Sequence, residues 1–167
     1  GGRAQLPELL ERFDGPAVLV TDSSLADLPF IEELSGLSGR PTLFAQVEPN
    51  PTVDMVDALA ELLRVLEVRV VIAVGGGSSL DCAKAACSVA LQGGSARRYH
   101  SEGARLDARR VPLIAMPTTA GTGSEVTPMA VLNDPEKRLK APLAHDNFFP
   151  TIALVDPELT YSMPRPI

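Results

Sequence analysis

The sequence predicts an α/β fold, a mostly parallel sheet with helices on both faces plus a small β-hairpin. Three observations carry that expectation. Short apolar runs alternate with segments of helical periodicity along the chain. Those runs are continuous rather than alternating, as in strands buried on both faces. The run Val68–Val74 passes through Gly75-Gly76-Gly77 straight into the helix-forming Cys82-Ala83-Lys84-Ala85-Ala86, giving a strand, glycine loop, helix unit.

The elements follow in order. Residues 4–13 place Leu6, Leu9, Leu10 and Phe13 at helical spacing, and Asp14-Gly15-Pro16 ends that segment. Ala17–Thr21 reads as the first strand, closed by Asp22-Ser23-Ser24, which also caps a helix over Leu25–Leu34. Thr42–Val47 is the second strand. Its turn, Pro49-Asn50-Pro51, leads to Thr52 as the cap of a helix reaching Leu66 and burying Val53, Val56, Leu59, Leu63 and Leu66. After the glycine unit, with Ser78 as N-cap and Asp81 completing a capping box, residues 92–110 read as loop with at most a short helix. Val111–Met116 is a further strand, with Pro112 at its start. Val126–Leu132 and Lys137–Ala141 flank Asn133-Asp134-Pro135-Glu136 as a hairpin. Ile152–Val155 is the last strand, and Asp156-Pro157 opens a short helical turn.

A chain of 167 residues, 45% of them hydrophobic, suffices for one domain with a real core. Its net charge of −6 argues against nucleic acid as a partner, since phosphate backbones are held by clustered Lys and Arg. No apolar run approaches the ~20 residues that span a bilayer, and the N-terminus lacks a basic segment followed by an apolar one. The expectation is therefore a cytoplasmic protein with no membrane partner. Cys82 and Cys87 fall about 140° apart around one helix, which suits neither a disulfide nor a metal pair.

In parallel α/β sheets, ligands bind beyond the carboxyl ends of the strands. Asp22, Asn50, Gly75–Ser78 and Thr118–Gly123 each follow a strand directly, so all four converge on one crevice. Glycines followed by a helix N-terminus point backbone N–H groups at one spot, a cradle for phosphate or else a bare tight turn. Thr118, Thr119 and Thr122 either add hydroxyl donors there or cap their own small-residue turn. Asp22 can accept both hydroxyls of an adenosine ribose, cap the next helix, or do both. Lys84 either pairs with Asp81 or covers helix surface, and Lys140 either reaches a ribose or phosphate or is an ordinary exposed hairpin lysine. His100 and His145 lack ligand spacing and read as surface or loop histidines. No nucleophile stands beside a base, so no catalytic residue is assigned.

These pieces together resemble the N-terminal domain of the iron-containing (group III) alcohol dehydrogenases. The residues that carry the resemblance are Gly75–Lys84, of the form GGGSxxDxAK, and Pro117–Thr127, which contains TTAGTGSEVT. Glu48-Pro49-Asn50-Pro51-Thr52, Glu136–Lys140 and Ala153–Pro157 extend it in the family's order over nearly the whole chain. The resemblance implies a Rossmann-like dinucleotide-binding domain over residues 1–161, then a linker from 162 toward an all-helical domain, with NAD or NADP in the cleft between. It implies pyrophosphate contacts from Gly76, Gly77 and Ser78, with Asp81 on the nicotinamide side. It further implies cofactor contacts from Thr118, Thr119 and Thr122, ribose contacts from Lys140 and Asn50, and adenine packing near Leu159. Asp22 matches the position that favours NAD over NADP.

The family's metal, iron or sometimes zinc, resembles a site of one Asp and three His in the helical domain, beyond Ile167, and neither His100 nor His145 matches those ligands. The closing Ser162–Ile167 departs from the family's Met-Pro-Pro-Arg-Leu junction. The expected parent reaction moves hydride between a primary or secondary alcohol, or its aldehyde, and NAD. The chain alone is expected to bind cofactor without turnover and, with an inter-domain face exposed, to self-associate as a homo-oligomer. Three other readings stand beside this one. Glycerol dehydrogenase or dehydroquinate synthase shares the overall fold, but the intact GGGSxxDxAK and TTAGTGSEVT strings favour the alcohol dehydrogenase branch. An ATP-binding phosphotransferase with a GGDG[ST] loop needs an acidic residue where Gly77 stands. An assembly module would carry no chemistry at all.

Overall fold

The structure, a computed structural model, describes residues 1–37, 39–161 and 163. Its elements run α1 (Leu6–Leu10), β1 (Ala17–Asp22), α2 (Pro29–Ser35), β2 (Thr42–Val47), α3 (Val53–Val65), β3 (Val70–Gly75) and α4 (Gly77–Gln92). Then come α5 (Ala96–His100), β4 (Leu113–Pro117), β5 (Met129–Asp134), β6 (Leu139–Ala144) and β7 (Ile152–Ala153). Single 3-10 turns stand at Gly2–Gln5, Ser124–Val126, Asp146–Phe148 and Pro157–Thr160. The main sheet has the order β2-β1-β3-β4-β7 with every pairing parallel. β5 and β6 form a separate antiparallel hairpin.

The continuous apolar runs are explained by burial on both sides. In β3, Val71 and Ala73 join a core with α3, α4 and α5, while Val70, Ile72 and Val74 join a second core with α1 and α2. β4 repeats the division, with Leu113 and Ala115 on one side and Ile114 and Met116 on the other. The chain leaves β1 for β2 in one direction and returns to β3 on the other side of β1. Strand order thus reverses between β1 and β3, where open α/β sheets form their binding crevice.

Several boundaries depart from the sequence reading, each for a local physical reason. The helix expected from Leu25 begins only at Pro29, because the residue before a proline is pushed out of the α region and Leu28 is extended at ψ 144°. Asp22 therefore caps no helix; its carboxylate accepts from the Ser24 amide at 3.0 Å and closes a turn. Ser78 is not an N-cap. Gly76 takes the extended cap conformation and α4 already starts at Gly77, so no capping box forms with Asp81. The hairpin turn lies at residues 135–138 rather than 133–136, with Arg138 at φ 51°. Asn133 and Asp134 belong to β5, Asp134 being buried against Arg97 Nε at 3.1 Å and Ser101 Oγ at 2.6 Å. Lys84 covers no helix surface, being only 1% exposed. Of the expected linker, all but Met163 lies outside the described residues.

Candidate functional site

The site is built where four parallel strands end. β1 delivers Asp22, β2 runs into Glu48-Pro49-Asn50, β3 into the three glycines and β4 into Thr118. The Thr118 amide donates to the Gly75 carbonyl at 3.0 Å and holds the last two loops together.

The three glycines do different work. Gly75 has φ 155°, and a Cβ there would lie 2.5 Å from Ser79 Oγ. At Gly77 a Cβ would come within 2.9 Å of Thr122 Cγ2. Gly76 is neither strained nor crowded by the protein, since its nearest neighbour would be Thr119 Oγ1 at 3.5 Å. The fold needs a glycine at 75 and packs tightly at 77, but it leaves the space over Gly76 open.

Gly76 is also the cap of α4, and among the described residues no side chain caps the first amides of that helix. Such amides, with the helix dipole behind them, attract an anion. Asn50, at φ 60°, closes the loop over them, and its amide donates to Ser78 Oγ at 3.3 Å.

Two hollows meet at this helix end. The larger, about 560 Å3, is bounded by Asp22, Leu25, Val47, Gly76, Thr118 and Leu159. The smaller, about 330 Å3, is bounded by Asn50, Asp81, Thr122, Met129, Val131 and Lys140. Gly77 and Ser78 line both, so they form the saddle between them. The structure brings each residue expected to contact a cofactor to one hollow or the other, Thr119 lying in the larger, whereas Gly75, Lys84, Gly121 and Gly123 line neither. The larger sets the carboxylates of Asp22 and Glu48 beside the apolar side chains of Leu25, Val47, Leu159 and Met163, suited to a flat ring joined to a hydroxyl-bearing sugar.

Polar groups in the smaller hollow hold one another. Asp81 accepts from the Val131 amide at 2.8 Å, from the Ser124 hydroxyl and from Lys84 Nζ at 3.3 Å. Lys84 Nζ also donates to the Met129 carbonyl at 2.7 Å and to Thr127 Oγ1 at 3.4 Å. Burial lowers the Lys84 pKa from the ordinary lysine value, and Asp81 opposes that shift. Lys140 Nζ donates to Asn50 Oδ1 at 2.6 Å, bridging the hairpin to the loop after β2.

Sequence reasoning missed Ser79, which donates to Asp22 Oδ2 at 3.4 Å, and Ser124, which fixes Asp81. Both sit inside strings already marked as site loops. The apolar lining from Leu25, Val47 and Met163 had no such signal, because nothing local distinguishes a leucine facing a hollow from one in a core.

His145 Nδ1 accepts from the Asn147 amide at 3.1 Å, and His100 Nε2 contacts the Ala141 carbonyl at 3.1 Å. Among the described residues no three His, Cys, Asp or Glu side chains converge as metal ligands. The described residues thus do not fit the iron or zinc site of the family. Nor is any helix among them long and apolar enough to cross a membrane.

The family model for iron-containing alcohol dehydrogenase matches residues 1–157. A choline dehydrogenase of Bacillus subtilis is 41% identical over 155 residues, and a 1-propanol dehydrogenase of Salmonella typhimurium is 34% identical over 163. Those alignments take in 89% and 95% of this chain but only 38% and 40% of the relatives. The chain therefore spans about two-fifths of the length of these curated relatives. Among solved structures, the sulfoacetaldehyde reductase of Bifidobacterium kashiwanohense, in complex with NAD+, superposes with a TM-score of 0.91 at 41% identity. That match covers 98% of this chain and 44% of the reductase. With the family model and both relatives agreeing over nearly its whole length, the chain belongs to the iron-containing alcohol dehydrogenase family.

Proposed function

We propose that the chain is the dinucleotide-binding part of an NAD-linked oxidoreductase acting on a small alcohol or aldehyde. The observation that carries this reading is Gly76, a glycine with no structural need for being one, set at the uncapped start of α4 in the larger hollow, next to the Gly77-Ser78 saddle. Those amides suit the pyrophosphate bridge, and Gly76 lets it approach the main chain. Asp22, held by Ser24 and Ser79, accepts the adenosine ribose hydroxyls and repels a 2′-phosphate, so NAD is favoured over NADP. The adenine packs on Leu159 and Val47, and Thr118 and Thr119 close over the bridge. Lys140 and Asn50, already joined, meet the second ribose, with Thr122 on the loop above and Asp81 on the nicotinamide side.

When bound, the nicotinamide accepts or supplies the hydride that interconverts alcohol and aldehyde. The described residues bind and orient; among them no nucleophile stands beside a base that could take the alcohol proton. The binding part alone is therefore expected to show no turnover.

Calorimetry tests the reading. NADH is expected to bind, NADPH to bind more weakly, and Gly76→Ala to lose NADH binding while its far-UV spectrum and unfolding midpoint stay those of the wild type. Tighter binding of Mg-ATP than of NADH would overturn the assignment in favour of a phosphotransferase. Oxidation of simple alcohols by this chain alone at an enzyme-like rate would overturn the expectation of no turnover.

A further inference from the structure

Lys84 is the largest fully buried side chain described, and it carries an amine into the middle of α4. Burying a charge is costly unless it is paired and hydrogen-bonded. Three oxygens surround Nζ, one each from Asp81, Thr127 and Met129. That number matches the three donors of an ammonium and exceeds the two of a neutral amine. The ammonium lies behind the wall of the smaller hollow and does not line it, whereas Asp81, its carboxylate partner, does.

We infer that Lys84 sets the balance between oxidised and reduced cofactor by neutralising Asp81. This rests on the dinucleotide reading above, in which the bridge sits at Gly76–Ser78. With the adenosine in the larger hollow at Asp22, the nicotinamide ring takes the smaller one. The ring is cationic in NAD+ and neutral in NADH, so an unpaired carboxylate beside it favours the oxidised form. Lys84 cancels that bias from behind. The hollow's own cation, Lys140, is bonded to the neutral Asn50, and its charge is the same in the wild type and in the Lys84 and Asp81 variants, so it cancels from the comparison between them. Glu125 lies close enough to act on Lys84 but does not line the hollow. Lys84 is thus a positioning residue, acting on the ring only through Asp81.

The experiment is calorimetric titration of NAD+ and NADH into the chain, comparing the ratio of the two dissociation constants. Lys84→Met is expected to lower the NAD+ to NADH ratio by at least about tenfold, the effect of one unit charge roughly 12 Å away at an effective permittivity of about 20 and a lower bound for a nearer one. Asp81→Asn is expected to raise it, and the double variant to return it toward the wild-type value. A purely structural role for Lys84 would weaken both cofactors alike and leave the ratio unmoved, which would overturn the inference. If Lys84→Met fails to fold, Asp81→Asn decides alone, and an unchanged ratio there overturns it too. Failure of the wild type to bind either cofactor would instead overturn the dinucleotide reading itself.

Discussion

Gly75 and Gly76 are adjacent, yet the fold requires a glycine only at the first. At Gly75 a methyl group meets both Ser79 Oγ at 2.5 Å and Ser79 Cβ at 2.7 Å, and φ is 155°. The Cβ of Ser79 is fixed to the helix backbone and cannot rotate away. Gly75→Ala is expected to cost about 1–3 kcal/mol, the range for a residue held in a sparsely populated backbone region. Equilibrium urea unfolding measures it; a midpoint equal to that of Gly76→Ala would contradict the distinction. The two cysteines make a second point at this scale. Burial raises the Cys82 thiol to about 12, with Asp81 adding to it, and burial raises Cys87 as well. The thiolate is the reactive form, so neither is expected to react with a disulfide reagent near neutral pH while the chain is folded. Both should react once it is denatured, and fast modification of native protein would show that α4 is less tightly packed than described.

Among the elements, α3 shows how closely a local rule was followed and where it was bent. Its start was legible, since Thr52 Oγ1 accepts from the Met55 amide at 3.2 Å as an N-cap should. Its end is a Schellman turn, in which the Val68 amide donates to the Leu63 carbonyl at 3.0 Å and the Glu67 amide to the Arg64 carbonyl at 3.1 Å. The left-handed residue of that turn is Glu67, at φ 49°, where a glycine is the usual choice. Glu67→Gly is expected to stabilise the chain by up to about 1 kcal/mol, the left-handed penalty less the added freedom of the unfolded glycine. A urea midpoint raised at unchanged slope would confirm this; a lowered one would show that Glu67 holds its place through contacts of its own. Strand positions were legible because Val70–Val74 and Leu113–Met116 are apolar throughout, a pattern dictated by cores on both faces. The hairpin register was not. Asn133-Asp134 has turn chemistry when read locally, and only the distant Arg97 and Ser101 make Asp134 a buried strand residue. Ser78 misled in the same way, since a cap candidate is judged by its side chain while the backbone geometry was taken by Gly76. The convergence of the loops after β1, β2, β3 and β4 was legible, because Asp22, Pro49-Asn50 and the glycines after β3 are unsuited to a strand, whereas the apolar lining from Leu25, Val47 and Met163 was not.

Over the whole molecule, two buried carboxylates fasten parts of the chain that are far apart in sequence. Asp134 ties the hairpin to α5 through Ser101 and Arg97 and also accepts from the Lys137 amide. Asp156 ties the N-terminus to the last 3-10 turn, accepting from the Arg3 amide at 2.9 Å and the Glu158 amide at 3.1 Å. Burial by itself would raise both acids. The hydrogen bonds and nearby cations outweigh it and hold each carboxyl below the ordinary value of 3.8. The folded chain therefore binds these two protons less readily than the unfolded chain does. Their contribution is fully present above the unfolded value of 3.8 and is lost as pH falls below it through the lower folded values. Urea midpoints taken from neutral pH down through that window should fall steeply for the wild type. Asp134→Asn and Asp156→Asn should each begin lower at neutral pH, having lost a charged acceptor, and then decline less as acid is added. Parallel curves for wild type and variants would mean that neither clamp titrates with unfolding. Because one clamp lies at the hairpin and the other at the chain's N-terminus, their effects on the acid limb are expected to add.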